Sequence, residues 1–179
     1  LNKDPREMRL TTYGSYYLDE VIKKEKPDVY IASQDIWGVD FAIKKKWFNK
    51  ITSVIWTTLD SLPILPTAVK AAAQVENYWI WSSFATKALN EMGYNHVRTM
   101  HGPVDHELFF KLPVDTRLEL RHRFGFPDDI FLVGYVFRNQ LRKSVPNLLE
   151  GYSMWRQNNK DRKTGLLLHT HFGEGWNIM

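Results

Sequence analysis

Short apolar segments of strand-like composition alternate with longer helical segments along almost the whole chain. The strand-like segments are residues 28–32, 51–57, 78–81, 96–100, 130–137 and 165–170. The segments between them predict helices at residues 13–25, 37–47, 66–76, 84–92, 116–123 and 145–157. This alternation predicts the α/β class, with a parallel sheet that helices cover on both faces. Residues 130–137 are apolar almost throughout, which predicts a strand buried on both faces.

The alternation is interrupted between residues 108 and 129. A charged helical segment lies there, and the sequence FGFP at residues 124–127 predicts a helix end followed by a turn. We therefore predict a first domain at residues 1–112 and a second at residues 113–179. The second part has too few elements to close a core of its own, so we expect the chain to stop partway through that domain.

Composition limits the classes of function. The 179 residues are 44% apolar, which is enough for a buried core, and include no cysteine, which excludes disulfides and thiolate metal sites. No apolar run approaches the ~20 residues of a membrane helix, so we expect a soluble, cytoplasmic protein. The net charge of +4 is compatible with nucleic acid, phosphorylated small molecules or an anionic membrane as partner.

Polar or small residues follow every predicted strand. Ligands of open parallel sheets bind at the carboxyl ends of the strands, so these positions are candidates for a site. In chain order they are Ser33, Gln34 and Asp35, with Trp37 nearby; Thr58, Leu59, Asp60 and Ser61; Ser82 and Ser83; residues 101–105, which include Gly102 and Asp105; Arg138, Asn139 and Gln140; and His169, Thr170 and His171. Serines at such positions also serve as helix caps, and Asp60 is equally explained as a turn former.

The sequence VGYVFRNQLRKSVPNLLEGY, at residues 133–152, places cations where a strand ends and a helix begins. Cations oppose the helix dipole at that end and cannot cap it, so Arg138 and Lys143 have a weak structural reason to be there. A bound phosphate would remove the conflict, because free backbone N–H groups and fixed cations bind phosphate well. A solvated charge cluster is the alternative.

These residues carry a resemblance to a known family. FRNQLRKSVPNLLEGY resembles the start of the second domain in retaining glycosyltransferases of family 4, which have the GT-B fold of two Rossmann-like domains. Three earlier segments are similar to further motifs of the family: WTTLDSLPILP, WIWSSFATKALNEMGY and MHGPVDHELFF. The resemblance covers about residues 28–171. The family's Gly-rich first loop and its paired glutamates lie outside the matched segments.

The resemblance implies a metal-independent transfer of sugar from a nucleotide-diphosphate sugar to a glycan, lipid or protein acceptor, without a cofactor. Arg138 and Lys143 match the cations that hold the diphosphate, with Asn139 and Arg142 as neighbours, and His169 and Thr170 line the donor side. Asp60 is implied as a catalytic contact of the first domain. The acceptor side would comprise Asp35, Trp37, Ser82, Gly102 and Asp105. No nucleic-acid partner is expected.

Other interpretations of single features stay open. His169 and His171 alternate on a strand and could ligate a metal, although polar residues at a strand end explain them as well. Trp79 and Trp81 are interpreted as core residues, and Trp37 as ligand-facing. A basic segment, residues 44–50, suits either a solvated helix face or peripheral contact with anionic lipid.

Two other functional classes also fit the pattern. One is a non-catalytic module that binds phosphate, nucleotide or nucleic acid at the basic strand end. The other is a phosphate-binding enzyme of another doubly wound type, which is disfavoured because no acidic cluster and no G-x-G-x-x-G loop follows any strand.

Overall fold

The computed structural model describes residues 11–178, and this part of the chain divides into two compact units, one ending at Asp105 and the next beginning at His106. Each unit contains a parallel sheet and helices. The predicted α/β class is therefore confirmed, and the architecture is Rossmann-like. The junction that the sequence predicts, between residues 112 and 113, lies in the same interruption between strands.

In the first unit, strands and helices follow one another as the alternation predicts. They are α1 (Leu18–Glu25), β1 (Val29–Ser33), α2 (Ile36–Ile43), β2 (Thr52–Thr57), α3 (Pro66–Ala72), β3 (Asn77–Ile80), α4 (Ser83–Glu91) and β4 (Arg98–Thr99). Pro66 stands in the first turn of α3, where its missing N–H costs nothing. Gly93, with φ of +97°, follows the end of α4 in the left-handed conformation that favours glycine.

The sheet of the first unit has the order β1-β2-β3-β4, with every neighbouring pair parallel. Ala32 pairs with Ile55, and Ile55 pairs with Tyr78, so these three buried side chains share one face. Small residues let the helices approach that face closely: Ala42 of α2, Ala68 of α3 and Ala85 of α4 are fully buried in the same core. Right-handed crossovers in a sheet with sequential strand order place all connecting helices on one face.

The opposite face of this sheet is more open than the sequence predicts. Val29 and Ile31, which point away from the core, are 50% and 56% exposed, whereas their neighbour Val54 is buried. The predicted cover by helices on both faces is therefore not seen in the part of the chain that the structure describes, where the large core cluster lies on one face.

The second unit contains α5 (Val114–Arg123), β5 (Phe131–Val136), a 3₁₀ turn (Leu141–Lys143), α6 (Val145–Asn158) and β6 (Thr164–His169). β5 and β6 form a two-stranded parallel sheet, in register from Phe131 with Thr164 to Val136 with His169. The prediction that β5 is buried on both faces is wrong. Phe131 is 51% exposed, although its ring packs against Trp155 of α6 with centroids 5.7 Å apart, and Val136 is 77% exposed.

None of the helices in residues 11–178 has the length and the apolar character needed to cross a membrane.

Candidate functional site

The pairing of β5 with β6 brings the predicted donor residues to one edge of a sheet. Val136 pairs with His169, and the Phe137 backbone N–H donates to the His169 carbonyl at 3.1 Å. Arg138 lies two residues beyond the end of β5, and Thr170 follows β6 directly. Parallel strands end at the same edge, so both residues lie at the carboxyl edge of this sheet, as the sequence predicts.

Arg138 forms a bidentate ion pair with Glu174. Its Nε donates to Oε2 at 2.8 Å and its Nη2 donates to Oε1 at 3.1 Å. These hydrogen bonds and the opposite charges lower the pKa of Glu174 and raise the pKa of Arg138. Both side chains remain solvated, with 67% of Arg138 and 44% of Glu174 exposed. One edge of the guanidinium is thus occupied by a carboxylate of the same unit.

The segment that carries Glu174 is fastened to the strand end by Asn139. This amide is fully buried. Its Nδ2 donates to the Trp176 carbonyl at 2.8 Å, and the Trp176 N–H donates back to Oδ1 at 3.1 Å. Gly175, which lies between Glu174 and Trp176 in the sequence, has φ of +68°. A Cβ at this position would lie 2.3 Å from the Asn139 carbonyl oxygen. Asn139, which the resemblance assigns to the donor, therefore uses its amide to position Glu174 and Trp176.

Arg142 and Lys143 lie in the 3₁₀ turn that leads into α6. Ser144, with φ of 48°, links that turn to the helix, and Val145 anchors the first helical turn by its complete burial. Among residues 11–178, no ion pair joins either cation to a carboxylate. Cations and free backbone N–H groups at a helix start together favour an anion.

The β6 side of this edge contributes a buried polar atom. The Thr170 hydroxyl is inaccessible and has no hydrogen-bond partner within the described residues, and buried hydroxyls without a partner are uncommon. His169 is exposed, and His171 accepts a hydrogen bond at Nδ1 from the Gly173 N–H at 3.2 Å. Residues 11–178 contain no group of three or more His, Asp and Glu side chains that could hold a metal ion.

The first unit has a small pocket at the carboxyl ends of its strands. It has a volume of about 250 Å³ and is lined by Ser33, Gln34, Asp35, Thr58 and Trp81. The Thr58 hydroxyl donates to the Asp35 carboxylate, which fixes the carboxylate at the pocket. An aromatic wall beside a carboxylate, an amide and hydroxyls suits a small polar ligand.

Trp81 is not the core residue that the sequence suggests. Its ring is 38% exposed and lines this pocket, whereas Trp79 is half-buried. The reason is that Trp81 lies one residue beyond β3, on the face of the sheet opposite the helical core. The ring packs against Trp56, with centroids 5.3 Å apart, and a Cβ at Gly102 would lie 2.5 Å from it. Gly102 thus lets the backbone approach the indole.

The other predicted residues of the first unit are spread around this edge. Asp35 lines the pocket, while the Ser82 hydroxyl donates to the Leu59 carbonyl at 2.6 Å and so has a structural partner. Trp37 is 40% exposed and makes an edge contact with Tyr13, with centroids 5.3 Å apart. Asp60 and Asp105 are exposed. The structure therefore gathers Asp35 and Trp81 at one pocket, and the pocket lining does not include Asp60 or Asp105.

Comparisons with known proteins find no matching family model and no similar curated sequence. The fold and the two strand-edge sites therefore define the protein as a Rossmann-like α/β chain with a basic candidate anion site.

The sequence does not determine which residues of these sites meet. Gln34 and Thr58 are candidates because they follow predicted strands, but they share a pocket with Trp81 because three strands end side by side. Glu174 and Trp176 lie more than thirty residues from Arg138 and Asn139 and meet them only through the pairing of β5 with β6. The sequence GEGW, with glycine on each side of a glutamate, marks a tight turn but not its partner.

Proposed function

We propose that the chain is part of a glycosyltransferase that takes a sugar from a nucleotide-diphosphate sugar and passes it to an acceptor. The observation that carries the proposal is the basic edge of the β5–β6 sheet, where Arg138, Arg142 and Lys143 surround the start of α6. The family resemblance of the sequence assigns a diphosphate to the same residues. A cytoplasmic location, which rests on composition, and retention of the anomeric configuration, which rests on the resemblance, belong to the same proposal.

The chemistry requires stabilisation of negative charge. When the bond between sugar and diphosphate breaks, the leaving diphosphate gains charge, and fixed cations lower the energy of that state. Lys143 and Arg142 supply charge that no carboxylate of the described chain neutralises, while Arg138 shares its charge with Glu174.

The acceptor belongs, in this proposal, at the pocket of the first unit. Asp35 is held there by the Thr58 hydroxyl, and Trp81 offers an apolar surface. A carboxylate of this kind can accept a hydrogen bond from an acceptor hydroxyl and orient it. Asp60 is the second carboxylate that the resemblance places in this role.

Calorimetric titration with UDP, GDP and ADP tests the donor site. We expect one of the three nucleotides to bind, and Lys143→Ala to weaken its binding by about 1.5–3 kcal/mol, the usual loss for a charge-assisted phosphate contact. Arg117→Ala is the matched control, because Arg117 is an exposed cation of α5 in the same unit. Absence of binding by all three nucleotides, or equal losses in the two variants, would count against the proposal.

A further inference from the structure

A second basic pocket lies at the opposite end of the β5–β6 sheet, beside the amino ends of the strands. Its volume is about 640 Å³, and it opens between the last turns of α6, the turn that follows and the start of β6. The lining residues are Ile130, Ser153, Arg156, Gln157, Lys160, Arg162, Lys163 and Thr164. Four of these eight residues are cations and none is a carboxylate.

The charge of this pocket is only partly neutralised. Lys163 forms an ion pair with Asp129. For Arg156, Lys160 and Arg162, no ion pair to a carboxylate occurs within residues 11–178. Asp161 belongs to the same turn but does not line the pocket. A cation in the last turn of a helix interacts favourably with the helix dipole, and this explains the position of Arg156. Lys160, Arg162 and Lys163 lie beyond the end of α6, so this effect does not explain them.

Backbone and side-chain hydrogen bonds hold the walls of the pocket in place. In the turn after α6, the Arg162 N–H donates to the Asn159 carbonyl at 3.2 Å, and the Phe131 N–H donates to the Lys163 carbonyl at 2.8 Å. The Tyr152 hydroxyl donates to Thr164 Oγ1 at 3.0 Å, which joins α6 to β6. The cations thus project from an ordered frame, and an ordered frame lowers the entropic cost of binding.

The geometry points to a binding site for a ligand that carries several phosphate groups. Two guanidinium groups, Arg156 and Arg162, suit bidentate contacts with phosphate oxygens, and Lys160 adds a point charge. Ser153 and Gln157 supply neutral donors at the same wall. The volume leaves room for more than one phosphate group, so a ligand with several phosphates suits the pocket. A soluble polyphosphorylated molecule and a phosphorylated lipid headgroup share this chemistry.

This site is separate from the proposed donor site. Residues 130–138 run along β5 from this pocket to the basic edge of the proposed donor site, a path of roughly 25 Å in an extended strand. Binding here therefore does not depend on the glycosyltransferase proposal, and its failure would leave that proposal untouched.

The test uses inorganic tripolyphosphate, titrated calorimetrically into the full chain at low salt. We expect saturable binding that weakens roughly tenfold or more in the double variant Arg156→Ser with Lys160→Ser, because two charge-assisted contacts are lost. Arg162→Ser is a second, independent variant of the pocket. Thermal melting of each variant verifies the fold. The control double variant, Lys44→Ser with Lys46→Ser, removes the same charge from the first unit and should bind as the parent does.

A second experiment identifies the source of the phosphates. The chain is sedimented with phosphatidylcholine vesicles that contain phosphatidylinositol bisphosphate, and separately with vesicles of phosphatidylcholine alone. Sedimentation with the first vesicles only indicates a lipid headgroup, whereas binding of tripolyphosphate without sedimentation indicates a soluble ligand. Arg117→Ala, which removes an exposed cation of α5 in the same unit, should leave tripolyphosphate binding unchanged. The inference is overturned by absence of saturable binding, by equal losses in the control double variant, or by retention of full binding in the pocket variants. Binding of a single-stranded oligonucleotide in preference to both phosphate probes would also overturn it.

Discussion

At the scale of single residues, Glu174 decides how much charge Arg138 can offer. The carboxylate holds the Nε and Nη2 groups of the guanidinium, and Gly175 and Asn139 fix the segment that carries it. An incoming diphosphate must therefore bind through the three remaining N–H donors of the guanidinium, two on Nη1 and one on Nη2, or displace Glu174. Either route places a carboxylate near the anion and costs affinity.

Replacement of this carboxylate should strengthen anion binding. Glu174→Gln keeps the size of the side chain but removes its charge, so we expect inorganic pyrophosphate to bind about 3- to 10-fold more tightly, equivalent to about 0.7–1.4 kcal/mol. Isothermal titration at fixed pH measures the change. Glu150→Gln, an exposed position of α6, is the matched control. A weaker affinity in Glu174→Gln would mean instead that the carboxylate orients Arg138 for the anion.

At the scale of elements, a buried tyrosine joins the central strands of the first unit. Tyr78 of β3 is fully buried, and its hydroxyl accepts a hydrogen bond from Thr57 of β2 at 3.2 Å. Tyr78→Phe would leave the buried Thr57 donor without this partner. We expect the free energy of unfolding to fall by about 1–2 kcal/mol at neutral pH, measured by urea denaturation. Tyr17→Phe is a control, since Tyr17 is 67% exposed.

The burial of two tyrosines also makes the stability of the first unit sensitive to high pH. Burial raises the pKa of Tyr78 to about 12 and that of Tyr30 to about 12. The unfolded chain loses these protons near pH 10, so stability is full below that pH and declines between about pH 10 and 12. At pH 11 each tyrosine should account for about 1.4 kcal/mol of the decline. The decline should be smaller in Tyr78→Phe, and an unchanged decline would exclude Tyr78 as a source.

At the scale of the whole molecule, burial is distributed unequally between the two units. The large core cluster belongs to the first unit, whereas Val145 is the fully buried apolar side chain of the second unit within the described residues. A two-stranded sheet that buries little apolar surface is marginal in water. The two units should therefore differ in local stability.

Amide hydrogen exchange on the full chain tests this difference. We expect the amides of β2 and β3 to exchange at least about 100-fold more slowly than those of β5 and β6, because opening the second unit exposes less apolar surface. Comparable protection in the four strands would show that the second unit has stability that its burial does not explain.

The local pattern of the sequence determined the class, the order of strands and helices, and the basic strand end. Apolar periodicity places β2 at residues close to those observed, and Pro66 and Gly93 mark helix ends correctly because turn and cap chemistry is local. The tertiary structure decided which faces are covered, and therefore that β5 and Trp81 are exposed. It also decided that Glu174 neutralises Arg138, because an ion pair between residues 36 positions apart depends on the pairing of two strands and not on local sequence.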